Sequence, residues 1–233
     1  MSNPELLAMF PTVIYSVQLD NYEEINKLIV DKLPVHGFES YELITGEPEG
    51  KSLVHCDPDF QKFFEQVTYH AQQYMKIFKV KNELFDYFTT KSWYVIINRA
   101  DHHIKYHMHS AGHISFSYYA EVPNLSDVLS FRDNNLANCA FDGLFDVKPY
   151  PDRNLITEIT ELNCKTYRME TRPGQLILFP SKLFHGTELH PENVNNVFPG
   201  RRLGIAGDIN MLLRPEVWNF ESGKLNWNHW RKF

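Results

Sequence analysis

The sequence has few of the features that mark secreted or membrane-spanning proteins. It has three cysteines in 233 residues, Cys56, Cys139 and Cys164, and no Cys-x-x-Cys pair. This odd, widely spaced set predicts neither a disulfide framework nor a thiolate zinc site. No apolar run approaches the roughly 20 residues of a membrane helix, and the first residues lack the basic and apolar segments of a secretory signal. We therefore expect a cytoplasmic protein without a membrane span.

Positive charge is also scarce. Lysine and arginine number 23 against 29 aspartates and glutamates, which gives a formal net charge of -6. Wrapping a phosphate backbone requires clustered cations, so nucleic acid is not an expected partner. The apolar share of 43% and the aromatic share of 14% are typical of a globular protein. The length predicts a single domain over residues 1–233.

The first third of the chain predicts one strand and two helices. A strand is expected over residues 12–18, and Asp20 and Glu23 have the spacing of a capping box ahead of a helix over residues 21–33. Asp57-Pro58 predicts the start of a second, longer helix. Its apolar stripe consists of Phe60, Phe63, Phe64, Val67, Ala71, Tyr74 and Phe78. This spacing predicts that the stripe packs against a sheet.

From about residue 88 the pattern changes to short β-rich runs separated by Pro, Gly, Asn and Asp. The predicted strands are residues 92–98, 106–109, 114–122, 128–131, 155–168, 175–179 and 203–213. Many short strands after leading helices predict a sandwich or barrel with helices outside. Within the single domain we distinguish an N-terminal strand and helices (1–88), a β core (89–213) and an aromatic tail (214–233).

Five of the eleven histidines fall between residues 102 and 113. His107 and His109 are one residue apart, and in an extended segment such neighbours face the same side, so both can bind one metal ion. His185 follows an apolar strand that begins after Pro173-Gly174. The three can form one site if the sheet folds back on itself. Surface or hydrogen-bonding roles are expected for the other nearby histidines, which are His102, His103, His113 and His190.

Three ligands on one face of an octahedron would hold a redox-active iron and leave positions open for a chelating cosubstrate and O2. A dicarboxylate cosubstrate also needs a fixed cation, and the planar fork of arginine matches a carboxylate. Arg202 begins a predicted strand downstream of His185 and is the candidate for this role. Arg201 is the alternative.

These motifs resemble the 2-oxoglutarate- and Fe(II)-dependent oxygenase superfamily, in particular a prolyl-hydroxylase-like group found in marine bacteria and phages. The resemblance rests on His107-Met-His109, Tyr118-Tyr119, Pro173-Gly174 with the following apolar strand, His185 and Arg202. It implies a mainly β (α+β) fold, a double-stranded β-helix or jelly roll with N-terminal helices packed on one sheet. It also implies Fe(II), 2-oxoglutarate and O2 as cofactors.

The resemblance implies that His107, His109 and His185 bind the metal and that Arg202, with Tyr119, binds 2-oxoglutarate. One departure from the family pattern matters, because most relatives have a carboxylate at the position of His109. We interpret His109 as a ligand. The alternative is a carboxylate from elsewhere in the chain, with Asp101, Glu188 and Asp208 as the candidates.

The implied reaction decarboxylates 2-oxoglutarate to succinate and hydroxylates a C–H bond of a peptidyl or free amino acid or a similar small substrate. Substrate recognition is expected from residues 132–152, residues 192–200 and the tail, and a homodimer through the tail stays open. Two other functions also stay open. One is a cupin-like three-histidine dioxygenase or isomerase that does not use 2-oxoglutarate, and the other is a non-catalytic jelly-roll binding module.

Overall fold

The computed structural model describes residues 11–34, 53–97, 103–123, 127–132, 158, 160, 162–189, 200–214 and 231–233. Two α-helices lie in these ranges, α1 (Tyr22–Lys32) and α2 (Gln61–Ile77). Three short 3-10 helices cover Val54–Cys56, Pro58–Phe60 and Asn82–Leu84. No helix among the described residues is long and apolar enough to cross a membrane.

Nine strands contain more of the described residues than the helices do. They are β1 (Tyr15–Gln18), β2 (Phe85–Ile97), β3 (Ile114–Glu121), β4 (Asp127–Arg132), β5 (Thr166–Glu170), β6 (Gln175–Pro180), β7 (Phe184–Leu189), β8 (Arg202–Leu213) and β9 (Arg231–Lys232). The predicted mainly β fold is therefore confirmed. Strand β2 begins before the predicted boundary at residue 89, and the division of the domain into three segments stays a prediction.

The strands form two antiparallel sheets that face each other. The larger sheet has the order β1-β6-β3-β8-β2-β9, and the smaller has the order β5-β4-β7. Between the sheets, the rings of Phe131 on β4 and Phe179 on β6 pack edge to face with centroids 5.1 Å apart. Non-sequential neighbours in two facing antiparallel sheets are the arrangement of a jelly roll, as predicted.

The helices cover the outer face of the larger sheet. Phe63 and Phe64 of α2 are buried and contact Tyr118 and Phe116 of β3 at ring distances of 5.0 and 6.2 Å. The apolar stripe of α2 therefore packs on the sheet, as predicted. Phe78 is the exception, because it follows the last helical residue and is 45% exposed.

Side chains of the larger sheet alternate between its two faces. Along β8, Leu203 and Ile209 belong to the helix-side core, whereas Arg202, Gly204 and Ala206 line the space between the sheets. This alternation follows from the two-residue period of a strand. It gives the larger sheet one largely apolar face and one face available for chemistry.

Three local predictions were wrong. The capping box does not form, because α1 is preceded by Asn21 in the left-handed region (φ 53°) and has no side-chain cap. Residues 106–109 are not a regular strand and make one isolated bridge, through His107. Of the described residues in the strand predicted over 155–168, only the last three lie in a strand, which is β5 (Thr166–Glu170). Most of the predicted recognition loops and of the aromatic tail lies outside the described residues.

Candidate metal centre

Direct backbone pairing brings His107 to His185. The two residues exchange both backbone hydrogen bonds, at 3.0 and 2.9 Å, in an antiparallel bridge. Residues opposite each other in such a pair project their side chains on the same face. On its other edge β7 pairs with β4, which sets Phe131 opposite His185. The two imidazoles therefore project from the smaller sheet into the space between the sheets.

The backbone around His107 lies close against β7. Ile104 accepts a hydrogen bond from the Thr187 amide at 3.0 Å, and its own amide donates to the Thr187 hydroxyl at 2.7 Å. A Cβ on Gly186 would lie 2.8 Å from the Ile104 carbonyl oxygen, so only glycine permits this close approach. Gly186, directly after His185, therefore allows the segment that carries His107 to pack against β7.

His109 reaches the same place by a different contact. Its amide donates to the carbonyl of Ser181 at 2.8 Å. Its ring packs against Trp93 of the larger sheet, with centroids 5.6 Å apart. His109 is 7% exposed and His185 is 6% exposed, so both rings lie largely out of water.

The three imidazoles converge. One nitrogen from each of His107, His109 and His185 lies within 4.8 Å of the other two. The ring centroids are 4.4 Å apart for His107 and His185, and 5.0 Å apart for each of the pairs that include His109. The structure therefore brings together the three histidines that the sequence analysis singled out.

The hydrogen bonds on the outer side of each ring decide which nitrogen faces the centre. Nδ1 of His107 lies 2.8 Å from the Lys105 carbonyl, and Nδ1 of His185 lies 2.9 Å from the Leu183 carbonyl. A carbonyl oxygen only accepts, so both Nδ1 atoms carry the hydrogen. A neutral imidazole in that tautomer presents a bare lone pair at Nε2.

The same logic applies to His109, whose Nδ1 lies 2.5 Å from Oδ1 of Asp208. Its Nε2 is 3.1 Å from Nε2 of His107. Two lone pairs at that distance repel each other unless a cation lies between them. The donor set therefore fits a transition metal that prefers imidazole, and it leaves the opposite coordination positions free of protein ligands from the described residues.

Burial keeps the third ring in the form that binds metal. The pKa of His185 is lowered to about 3, mainly because burial removes water from the protonated ring, and the nearby rings of His107 and His109 add to this effect. A neutral imidazole is the form that coordinates a metal. At neutral pH His185 is therefore ready to bind without first losing a proton.

Asp208 lies behind His109 and not among the three Nε2 atoms. Its side chain has no exposed surface, and burial alone would raise its pKa. Hydrogen bonds from His109 and Ser115, together with the positive charge of Lys91, outweigh that effect, so the pKa is lowered. Asp208 is therefore an ionised carboxylate hydrogen-bonded to the outer nitrogen of His109.

The histidines open onto a cavity between the sheets with a volume of about 670 Å3, including its open mouth. Arg202 lines the same cavity and is only 2% exposed. Its Nη2 donates to the Tyr119 hydroxyl at 2.9 Å, and its guanidinium carbon lies 4.7 Å from the centre of the Tyr119 ring. The remaining wall is largely apolar and includes Leu129 and Phe179.

The alternative residues lie elsewhere. Arg201 forms a two-pronged ion pair with Glu121, at 2.6 and 2.8 Å, where β3 ends and β8 begins, and both side chains are partly exposed. His103 and His113 are exposed, and Nδ1 of His113 accepts a hydrogen bond from the Met211 amide. Four alternatives lie outside the described residues, namely Asp101, His102, His190 and the side chain of Glu188.

Sequence reasoning missed the residues that support the histidines. It considered Asp208 only as a metal ligand and did not consider Trp93 or Ser115. The signal for Asp208 was present, because Arg202 faces the cavity and every second residue after it, including Asp208, faces the same side. The contact of Trp93 with His109 has no comparable signal, since it depends on how β2 pairs with β8.

The part of the chain that carries the three histidines matches a known family. Residues 91–196 match the sequence model of a family described as "Putative 2OG-Fe(II) oxygenase". This stretch of the chain is therefore similar to the 2OG-Fe(II) oxygenase superfamily. The matched region contains His107, His109 and His185 and ends before Arg202. Fe(II) and 2-oxoglutarate are the cofactors that define this superfamily.

Among solved structures, SnoN supports the fold, and two further structures are similar at lower scores. The non-heme α-ketoglutarate-dependent epimerase SnoN from nogalamycin biosynthesis is 11% identical with a TM-score of 0.54, over 90% of this chain and 84% of SnoN. HygX from Streptomyces hygroscopicus, solved with nickel and 2-oxoglutarate, is 11% identical with a TM-score of 0.48, over 85% and 83% of the two chains. A Pseudomonas putida prolyl-4-hydroxylase is 11% identical with a TM-score of 0.48, over 85% and 92%. The sequence matches no curated protein at a significant level.

Proposed function

We propose that this chain is an Fe(II)- and 2-oxoglutarate-dependent dioxygenase that hydroxylates a C–H bond of a peptidyl or free amino acid or a similar small substrate. One observation carries the proposal. Three imidazole lone pairs converge in the cavity that also contains a buried arginine. The first feature suits a metal ion, and the second is a cation that can bind a carboxylate of a cosubstrate.

His107, His109 and His185 would hold the iron through Nε2. Bound together, Fe(II) and 2-oxoglutarate supply O2 activation coupled to oxidative decarboxylation, which yields succinate and CO2. The carbonyls of Lys105 and Leu183 hold two of the rings in the required tautomer. The chain's contribution at this end of the cavity is to orient three neutral donors and to leave the remaining positions open.

Arg202 and Tyr119 would bind the distal carboxylate of 2-oxoglutarate. A guanidinium forms charge-assisted hydrogen bonds to a carboxylate, and burial strengthens them. The hydrogen bond from Arg202 holds the Tyr119 hydroxyl beside the guanidinium, where both groups line the same cavity. No acidic side chain lines the cavity among the described residues, so a dicarboxylate meets no like charge there.

The apolar wall would exclude water from the reacting centre. Leu129 and Phe179 are buried between the sheets, and Phe179 packs against His185 with ring centroids 4.6 Å apart. Exclusion of water protects reactive species from side reactions. The proposed substrate class is supported by the resemblance to the prolyl-hydroxylase-like group. A cytoplasmic location is supported by Cys56 and Cys164, which form no disulfide.

The three-histidine donor set also fits a cupin-like metal enzyme that does not use 2-oxoglutarate. The two functions differ in what they require of Arg202, because only the first needs a cation for a distal carboxylate. A non-catalytic binding module requires neither iron nor 2-oxoglutarate. Binding measurements on the purified protein therefore separate all three.

The test is an anaerobic titration with Fe(II) and then 2-oxoglutarate, followed by visible absorption. The proposed function predicts a charge-transfer band that forms only when both are present. Arg202→Ala should weaken 2-oxoglutarate binding by about 10- to 100-fold, the effect of losing a hydrogen-bonded charge pair. Arg201→Ala is the matched control and should bind as the parent does. Absence of the band, or equal binding by Arg202→Ala, would refute the proposal.

A further inference from the structure

A buried carboxylate stands directly behind one of the three candidate ligands. Asp208 lies on β8, and its Oδ1 is 2.5 Å from Nδ1 of His109. The hydroxyl of Ser115 on β3 donates to the same oxygen at 2.7 Å. His109 therefore has a carboxylate on one ring nitrogen and the candidate metal position on the other.

The charges of the site explain why a carboxylate is needed there. In the usual family pattern the position of His109 holds an acid, which lowers the positive charge of the iron centre by one. Three neutral imidazoles leave Fe(II) with its full charge beside Arg202, and no acid lines the cavity among the described residues. Even with a bound 2-oxoglutarate dianion, one positive charge remains in excess. Asp208 supplies one negative charge next to Nδ1 of His109. This charge brings the sum over Fe(II), Arg202, 2-oxoglutarate and Asp208 to zero.

A neighbouring cation offsets only part of this charge. Nζ of Lys91 lies 3.4 Å from Oδ2 of Asp208, but the lysine side chain is 28% exposed. Water screens this partly exposed ammonium more than it screens a carboxylate with no exposed surface. Oδ1 of Asp208 lies 2.5 Å from His109, whereas Oδ2 lies 3.4 Å from Lys91, so the contact with His109 is the shorter one.

We propose that Asp208 is a positioning residue for the metal centre. It holds His109 in the tautomer that presents Nε2, and it supplies through the imidazole ring the negative charge that most family members supply with a carboxylate ligand. Carboxylates behind metal-bound histidines raise the basicity of the ring, and their loss typically lowers metal affinity 10- to 100-fold. This inference rests on the proposed function of the site.

The first test separates charge from hydrogen bonding. Asp208→Asn keeps a carbonyl that accepts from Nδ1 of His109 and removes only the charge. We expect Fe(II) affinity to fall about 10- to 100-fold in an anaerobic titration. We also expect the Fe(II)–2-oxoglutarate absorption band to move to shorter wavelength, because a less electron-rich iron holds its electrons more tightly.

The matched control removes the same charge from the same sheet, away from the cavity. Asp86 on β2 pairs with Lys232 at 2.6 Å and Arg214 at 3.3 Å. Asp86→Asn should leave both the Fe(II) affinity and the band position unchanged. A decrease in affinity as large as that of Asp208→Asn would indicate a general effect of net charge and would overturn the inference.

Two further variants test whether Asp208 is merely structural. Ser115→Ala removes a hydrogen bond to Asp208 and a 3.1 Å contact with Nδ1 of His109 but keeps the charge, so Fe(II) affinity should fall much less than in Asp208→Asn. The double variant His109→Asp with Asp208→Asn moves the carboxylate from behind the ring to the ligand position. It should recover most of the affinity lost in Asp208→Asn, and circular dichroism should confirm that every variant is folded.

The outcomes distinguish the two proposals. If the parent forms no band with Fe(II) and 2-oxoglutarate, the proposed function fails, and this inference fails with it. If the parent forms the band and Asp208→Asn matches it in affinity and wavelength, only this inference is overturned. It is likewise overturned if Ser115→Ala is as defective as Asp208→Asn, or if the double variant binds iron more weakly than Asp208→Asn.

Discussion

The two faces of the larger sheet are made from the same strands and have opposite characters. Tyr118 and Tyr119 are adjacent on β3, and both are buried. Tyr118 points to the helices, where its hydroxyl donates to Asn26 of α1 at 2.6 Å. Tyr119 points between the sheets, where its hydroxyl accepts from Arg202. One residue along the strand separates a structural tyrosine from a candidate ligand-binding tyrosine.

The difference between the faces shows how the chain separates stability from binding. The helix-side face is filled with large apolar side chains that pack against α1 and α2. The inner face carries glycine and alanine beside a few buried polar groups, and it leaves a cavity. We therefore expect substitutions on the helix side to change the free energy of unfolding, and substitutions on the inner side to change binding.

The largest effect should come from the helix side. Phe64 is fully buried and packs against Phe63, Phe116 and Phe233. Phe64→Ala should lower the free energy of unfolding by about 3–5 kcal/mol, because it removes apolar contacts and leaves a cavity. Chemical denaturation of the metal-free protein measures this. Phe78→Ala, at a half-exposed position, should change stability little, and an equal loss in both would break the distinction between the two faces.

The next effect concerns the histidines of the smaller sheet, which face the same cavity as the inner face. Fe(II) at 100 times its dissociation constant should stabilise the parent by about 2.7 kcal/mol, because the metal binds the folded state only. His185→Ala should remove this stabilisation while leaving the metal-free protein about as stable as the parent. Anaerobic thermal unfolding with and without Fe(II) measures both quantities. If His185→Ala gained as much stability from Fe(II) as the parent, the three-histidine site would be refuted.

The smallest effects are expected from the adjacent residues Tyr118 and Tyr119, which lie on opposite faces of the larger sheet. Tyr118→Phe removes the hydrogen bond to Asn26 and should cost about 1 kcal/mol of stability without changing 2-oxoglutarate binding. Tyr119→Phe should leave stability nearly unchanged and weaken 2-oxoglutarate binding by about fivefold, the same free energy expressed as affinity. Denaturation and equilibrium titration of both variants give the four values. If Tyr118→Phe weakened 2-oxoglutarate binding and Tyr119→Phe lowered stability, the two faces would have been assigned wrongly.

Periodic features of the fold could be predicted from the sequence. The apolar stripe of α2 and the alternation along β8 have fixed periods, so helix, strand and buried face follow from spacing. His107 and His109 were recognisable for the same reason, since neighbours two apart in an extended segment share a face. The predicted helix over residues 21–33 and the predicted strand over residues 175–179 match α1 and β6 to within one residue at each end.

Features that depend on tertiary pairing could not be predicted. The segment with His107 does not form a regular strand, because it contacts β7 through one bridge and then turns toward Ser181. The cap of α1 is set by the left-handed backbone of Asn21, which a capping-box pattern does not anticipate. The place of Asp208 behind His109 depends on the register of β8 with β3, which sets Asp208 opposite Ser115. Spacing alone does not specify that register.

Anomalous diffraction from crystals grown anaerobically with Fe(II) tests the central claim most directly. The account predicts one strong iron peak at roughly 2.1 Å from Nε2 of His107, His109 and His185, a usual metal–imidazole distance, with Asp208 bonded to His109 and not to the metal. A peak bonded to two of these histidines and to a carboxylate, or no peak between the rings, would contradict it.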